Sequence, residues 1–172
     1  MNPVAQTSPP PSHRLFNTPL ECGLRMLFLL DATAPSEPDL QRLISYDYLL
    51  VHSGDAASGP QSLHPAVPYR GSEWLVKREL VRQGLDLMLA RELLDKRLQS
   101  SGIHYAGTSL TRAFIALLNS QYAKDLKSRA AWVSQTFASM SDAELSEYMT
   151  GNVGRWGAEF DRVTALQDLE LA

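Results

Sequence analysis

The stretch 52–69, HSGDAASGPQSLHPAVPY, holds two histidines with an aspartate between them, residue types that can bind a metal or move a proton. A zinc site needs three or four ligands held close, commonly paired at short spacing. His52 and His64 stand far apart for such a pair, and Asp55 is the only acid nearby before Glu73. Cys22 lies far away in an apolar run, and His13 and His104 belong to other segments. The spacing therefore predicts no metal site, with His52 ending a helix, where the dipole favours it, and His64 in a loop. Nucleophilic and phosphate-binding signatures are missing too: there is no G-x-S-x-G, no P-loop and no G-x-G-x-x-G. Cys22 has no activating partner in the sequence and reads as a small core residue. No catalytic, cofactor-binding or metal-binding residue is expected, and the chain should act by binding and not as an enzyme.

The remaining chemistry is that of surfaces. Segment 73–92 carries Lys77, Arg78, Arg82 and Arg91 against Glu73, Glu79, Asp86 and Glu92, which cancel. A phosphate-binding helix gains from uncompensated positive charge. Here Glu73 with Lys77, and Arg82 with Asp86, read as i,i+4 surface pairs. Lys124, Lys127 and Arg129, opposed only by Asp125, form a candidate basic patch, although a solvated helix face accounts for them as well. Trp156 and Phe160 are large aromatics near the end of the chain. They suit either partner docking or closure of the domain's own core.

These groups must be positioned by a chain of 172 residues, 44% hydrophobic and 20% charged, with a net charge of −3. That describes a soluble globular protein with no global basic field. One cysteine excludes an intrachain disulfide, no apolar run reaches the ~20 residues of a membrane span, and no signal peptide is read, so the cytoplasm is the expected compartment.

Residues 1–13 read as a disordered tail. Thr18-Pro19 then begins a helix, LECGLRMLFLLDA, apolar on nearly all sides and expected at the centre of the core. Asp39 opens a second helix through LQRLISYDYLLVH. Gly54, Gly59, Pro60, Pro65, Pro68 and Gly71 then punctuate a loop. A third helix is expected from a Ser72 cap through SEWLVKRELVRQGLDLMLARELL, followed by a hairpin that turns at Ser100-Ser101-Gly102. The stripe from Leu110 to Met140 predicts one long helix. Ser141 and Glu144 form a capping box for a short helix to about Thr150. A last amphipathic helix carries Trp156, Phe160, Val163 and Leu166. The fold class is thus mainly α with a small β-hairpin: a winged-helix-like domain over 14–140, then a C-terminal helical extension over 141–172. The loop between the second and third helices is longer than a usual helix-turn-helix turn.

Three blocks carry a resemblance. DYLLVHSGD at 47–55, H-P-x-x-P-Y at 64–69 and R-x-L-x-x-Q-G-L at 78–85 resemble the middle component of bacterial ABC-three-component systems, the Lamassu-type defence systems, over roughly residues 14–140. The resemblance implies a kleisin-like accessory subunit without enzymatic activity. It would sit between an SMC-like ABC ATPase and an effector, often a nuclease, and couple sensing of foreign DNA to effector activation. It also implies that the loop bearing His64 and Tyr69 is a shaped structural or docking element. Candidate docking residues are therefore Trp156, Phe160, His64 and Tyr69. The alternative is a winged helix-turn-helix regulator that binds DNA directly.

Overall fold

The computed structural model describes residues 18–157. Helix α1 spans Pro19–Thr33, with Thr18 accepting from the Glu21 amide and Pro19 in the first turn, as its sequence dictates. Helix α2 spans Leu40–Val51 under an Asp39 cap. After the loop come α3 (Gly71–Val76) and α4 (Arg78–Leu89). The hairpin pairs β1 (Leu94–Gln99) with β2 (Gly102–Gly107), antiparallel, with Gln99 opposite Gly102. Helices α5 (Ser109–Ala116), α6 (Gln121–Phe137) and α7 (Asp142–Val153) follow.

The architecture is mainly helical with a winged-helix-like arrangement. Helix α1 is the hub: α4 crosses it, and α2, α5 and α6 pack around it. The segment before α2 joins the hairpin as a short third edge. Asp39 bridges His104, and the Tyr105 amide donates to the Pro38 carbonyl at 3.0 Å. His104 fixes this junction, its Nδ1 2.6 Å from the Glu37 carbonyl and its Nε2 2.8 Å from the Ser101 hydroxyl. Among the described residues no helix is long and apolar enough to cross a membrane.

Two helices expected to be continuous are each broken. The third helix splits at Lys77, and it begins after Arg70, not at a Ser72 cap; the Ser72 hydroxyl donates instead to the Tyr69 carbonyl. It stops at Leu89, and Glu92 takes a positive φ that turns the chain into β1. The long stripe divides at Leu117–Ser120, where the Ser120 hydroxyl accepts from the Ala123 amide and opens α6 as a new helix. Leu110 and Leu117 of that stripe are exposed and Phe114 is only partly buried. The Ser141–Glu144 capping box is present, but α7 runs on to Val153. The last helix foreseen through Phe160 and Leu166 lies outside the described residues, apart from Trp156.

Two features fix how α1, α2 and α4 meet. The first is steric. A Cβ on Gly84 would lie 2.7 Å from the Gly23 amide nitrogen, so α1 and α4 cross backbone to backbone. The second is electrostatic. Arg25 of α1 and Asp47 of α2 are fully buried, with the arginine Nε donating to Asp47 Oδ1 at 2.6 Å. Lys77 is buried beside them, 3.3 Å from Asp47 and 3.3 Å from Glu73. Burial works against the Asp47 carboxylate, but the Arg25 and Lys77 cations hold its pKa far below the usual range. The Glu73–Lys77 pair expected at the surface is therefore present with its lysine buried and its glutamate at the edge of the interior. Cys22 is buried as expected, and burial pushes its thiol up to about 12.

Two outcomes follow. Gly84→Ala gains about 1 kcal/mol of helix propensity, but overpacking against a backbone that cannot yield costs typically 1–3 kcal/mol. The variant should melt below the wild type, and an unchanged or higher Tm would contradict the close crossing. Asp47→Ala removes the one fully buried partner of Arg25 and Lys77, a change that typically costs about 3–5 kcal/mol. Urea unfolding of this variant measures that loss directly.

Candidate functional site: a docking surface beside the 52–71 loop

The loop that opened the sequence question is an ordered, clamped segment. Ser53–Asp55 make one turn of 3-10 helix. The Val51 carbonyl accepts from the Leu63 and His64 amides at 2.9 and 3.0 Å, folding the loop back on the end of α2. The Gln61 carbonyl accepts from the Ser53 hydroxyl at 3.1 Å and from Arg129 Nε of α6 at 2.9 Å. Asp55 organises the other end. Arg70 grips both its oxygens, with Nη2 2.6 Å from Oδ1 and Nε 2.9 Å from Oδ2, and the Tyr48 hydroxyl donates to Oδ2 at 2.7 Å. Burial, then the Asp55 carboxylate, raises the Tyr48 phenol far above its ordinary value, so Tyr48 stays a donor.

The three candidate chemical residues do not converge. Asp55 is occupied by Arg70 and Tyr48. His52 points its Nε2 at Glu73, 3.5 Å away, and His64 points its Nε2 at the Tyr122 hydroxyl, 3.1 Å away. Burial opposes ionisation of Glu73, yet the His52 ring and Lys77 hold it down to about 2. Among the described residues no group of three His, Cys, Asp or Glu side chains gathers as metal ligands would.

The docking candidates separate as well. His64 is buried under the loop. Trp156 belongs to the chain's own core: its ring stacks on Tyr48 at 4.6 Å and its Nε1 donates to the Asp55 carbonyl at 3.2 Å. Phe160 lies outside the described residues. Tyr69 is 64% exposed, at a positive φ. Of the basic patch, Lys124 and Lys127 are exposed on α6, whereas Arg129 is tied to the Gln61 carbonyl.

Helix α3 shows what the sequence reading missed. Its own buried residues are Gly71 and Trp74, with the Trp74 indole donating to the Ser45 hydroxyl at 3.0 Å, and the residues that flank it, Arg70 and Lys77, are buried too. Its outward positions include Leu75, 62% exposed, and Val76, 74% exposed. The two aliphatics at the end of α3 thus face solvent, while the charged residues on either side of the helix, Arg70 and Lys77, are buried on Asp55 and Asp47. Beside Leu75 a shallow pocket of about 130 Å³ opens between Gln41, Ile44, Trp74 and Arg78. A buried-charge signal was available in the sequence: Arg25 and Asp47 each sit in an apolar helix, where an ionised group requires a partner.

His64 yields a pH prediction. Burial, then the nearby Arg25 and Lys77 cations, lower its pKa from about 6.5 to about 4. The folded state therefore holds the ring neutral, and its contribution is complete above pH 6.5 and lost as pH falls toward 4. Wild-type stability should drop across that window by on the order of 2 kcal/mol more than that of His64→Gln. Parallel stability–pH curves for the two proteins would remove this role.

A profile for "ABC-three component (ABC-3C) system Middle Component 2" matches residues 15–159, a stretch that contains every described helix and the hairpin. No curated protein and no solved structure matches the chain. A middle component works with partner subunits, in keeping with a structure whose unusual feature is an exposed apolar helix face. By this match the chain belongs to the Middle Component 2 family of ABC-three component defence systems.

Proposed function

We propose that this middle component is a non-enzymatic, kleisin-like adaptor of a Lamassu-type system. In this reading it bridges an SMC-like ABC ATPase and an effector, often a nuclease, and couples sensing of foreign DNA to effector activation. The observation that carries the reading is the exposed aliphatic end of α3. Leu75 and Val76 lie together on a face anchored from within by Lys77, with exposed Tyr69 preceding the helix. Exposed apolar patches mark protein interaction sites, and tyrosine is among the residues enriched at their energetic centres.

Direct DNA binding is less well supported, because the winged-helix face is internally neutralised. Arg82 pairs with Glu79 and Asp86, Lys96 with Asp86, and Arg97 with Glu37. Each cation so engaged has less to gain from releasing counterions at a phosphate.

The test is co-purification with the ATPase and effector components. Leu75→Asp with Val76→Asp should keep the wild-type Tm, since both side chains face solvent. It should weaken binding at least about thirtyfold, the equivalent of about 2 kcal/mol. A folded double variant that binds normally removes α3 from the interface. If the wild-type chain binds neither component but shifts duplex DNA with a steep salt slope, the regulator is the correct account.

A further inference from the structure

We infer that the outer edge of β1 is a second docking site, which takes an extended segment of a partner protein as an added β-strand. The sheet order is the Pro38–Asp39 segment, then β2, then β1, so β1 forms one edge. Which backbone groups face outward follows from one bond. The Tyr105 amide donates away from β1, to Pro38. Tyr105 and its partner Lys96 therefore form a pair that exchanges no hydrogen bonds across the hairpin, and by alternation so do Ile103 and Leu98. The N–H and C=O groups of Lys96 and Leu98 thus point out of the sheet, and no other backbone group among the described residues bonds to them.

Natural edges are guarded by charge, above all by lysine. Here the guards are drawn aside onto the two faces of the hairpin. Lys96 Nζ lies 2.7 Å from Asp86 of α4, and Arg97 Nε lies 3.3 Å from Glu37. Next to them Leu98 is 86% exposed, and its cross-strand neighbour Ile103 is 51% exposed. An open backbone ladder beside an aliphatic pair matches the chemistry of strand addition, in which main-chain bonds give affinity and alternate side chains give selectivity.

Charge selects the occupant. A second copy pairing antiparallel with both Lys96 and Leu98 opposite residues of its own β1 must set either Arg97 against Arg97 or Lys96 against Lys96, and like charges directly opposite destabilise a sheet; the register centred on Leu98 avoids this but puts Lys96 opposite Ser100, in the turn. A segment from a different protein, with an acidic residue facing Arg97 and an apolar residue packing on Leu98 and Ile103, meets neither penalty. This inference is independent of the α3 surface and gives the bridging subunit a second contact on a different element.

The experiment uses the full chain with the purified ATPase and effector components of its own system. Hydrogen exchange should show the Lys96 and Leu98 amides exchanging rapidly in the isolated chain and slowed at least about tenfold in the complex. Leu98→Pro removes an outward N–H while sparing the hairpin's own bonds. It should weaken binding of one component at least about tenfold, whereas Leu98→Thr, which keeps the backbone donor, should bind more tightly than the proline variant. Unprotected Lys96 and Leu98 amides in a formed complex overturn the proposal whatever the variants do. So does a self-associating wild-type chain whose dimer is lost in Leu98→Pro, which would make a second copy the occupant. If the complex forms and only the edge results fail, the adaptor reading survives. If the wild type binds neither component, both readings fall.

Discussion

The structure depends on one buried carboxylate. Asp47 lies midway along α2 and receives Arg25 from α1 and Lys77 from the junction of α3 and α4. Three segments distant in sequence are therefore held by one group, and moving any of them removes a buried charge from its closest partner. Buried ion pairs add little net stability over apolar packing of the same shape. Their contribution here is selectivity: many apolar arrangements of α1 against α2 would bury similar area, but few would place both cations on Asp47. The Gly23–Gly84 approach acts in the same direction, because it permits one crossing of α1 and α4 at contact distance.

Lys77, a partner of the same carboxylate, lies at the break between α3 and α4, and Leu75 and Val76 next to it face outward. The loop before α3 is likewise committed to structure: Asp55, Arg70, Tyr48 and Trp156 form a connected polar and aromatic set that fixes the entry to α3. Loops this long inside compact domains are usually functional or disordered. This one is ordered by its own backbone and side-chain bonds, and it leads into the helix with the exposed aliphatic end.

Much of the fold was legible in the chain because its signals are local. Thr18-Pro19, Asp39 and the Ser141–Glu144 box each announce a helix start through groups within three residues, and each does so in the structure. The hairpin was legible from its turn. What was not legible depended on distant partners. The break at Lys77 has no glycine or proline to mark it, and the partner of that lysine, Asp47, stands thirty positions upstream. The break before α6 had a local marker in Asn119-Ser120, but the apolar stripe ran across it and outweighed it. The histidines were readable as residues without metal-ligand spacing. That His64 packs beneath the loop against Tyr122, on a helix far along the chain, was not. The exposed end of α3 was hardest to read, since Leu75 and Val76 look like core residues until the inward position of Lys77 is known.

The bond between Arg129 and the Gln61 carbonyl gives the loop a mechanical character. It latches the middle of the loop to α6, while Arg70 rivets the loop's two ends together through Asp55. From the exposed end of α3 an unbroken series of side-chain ties, Lys77 to Asp47 to Arg25, leads into α1, the helix on which the others are stacked.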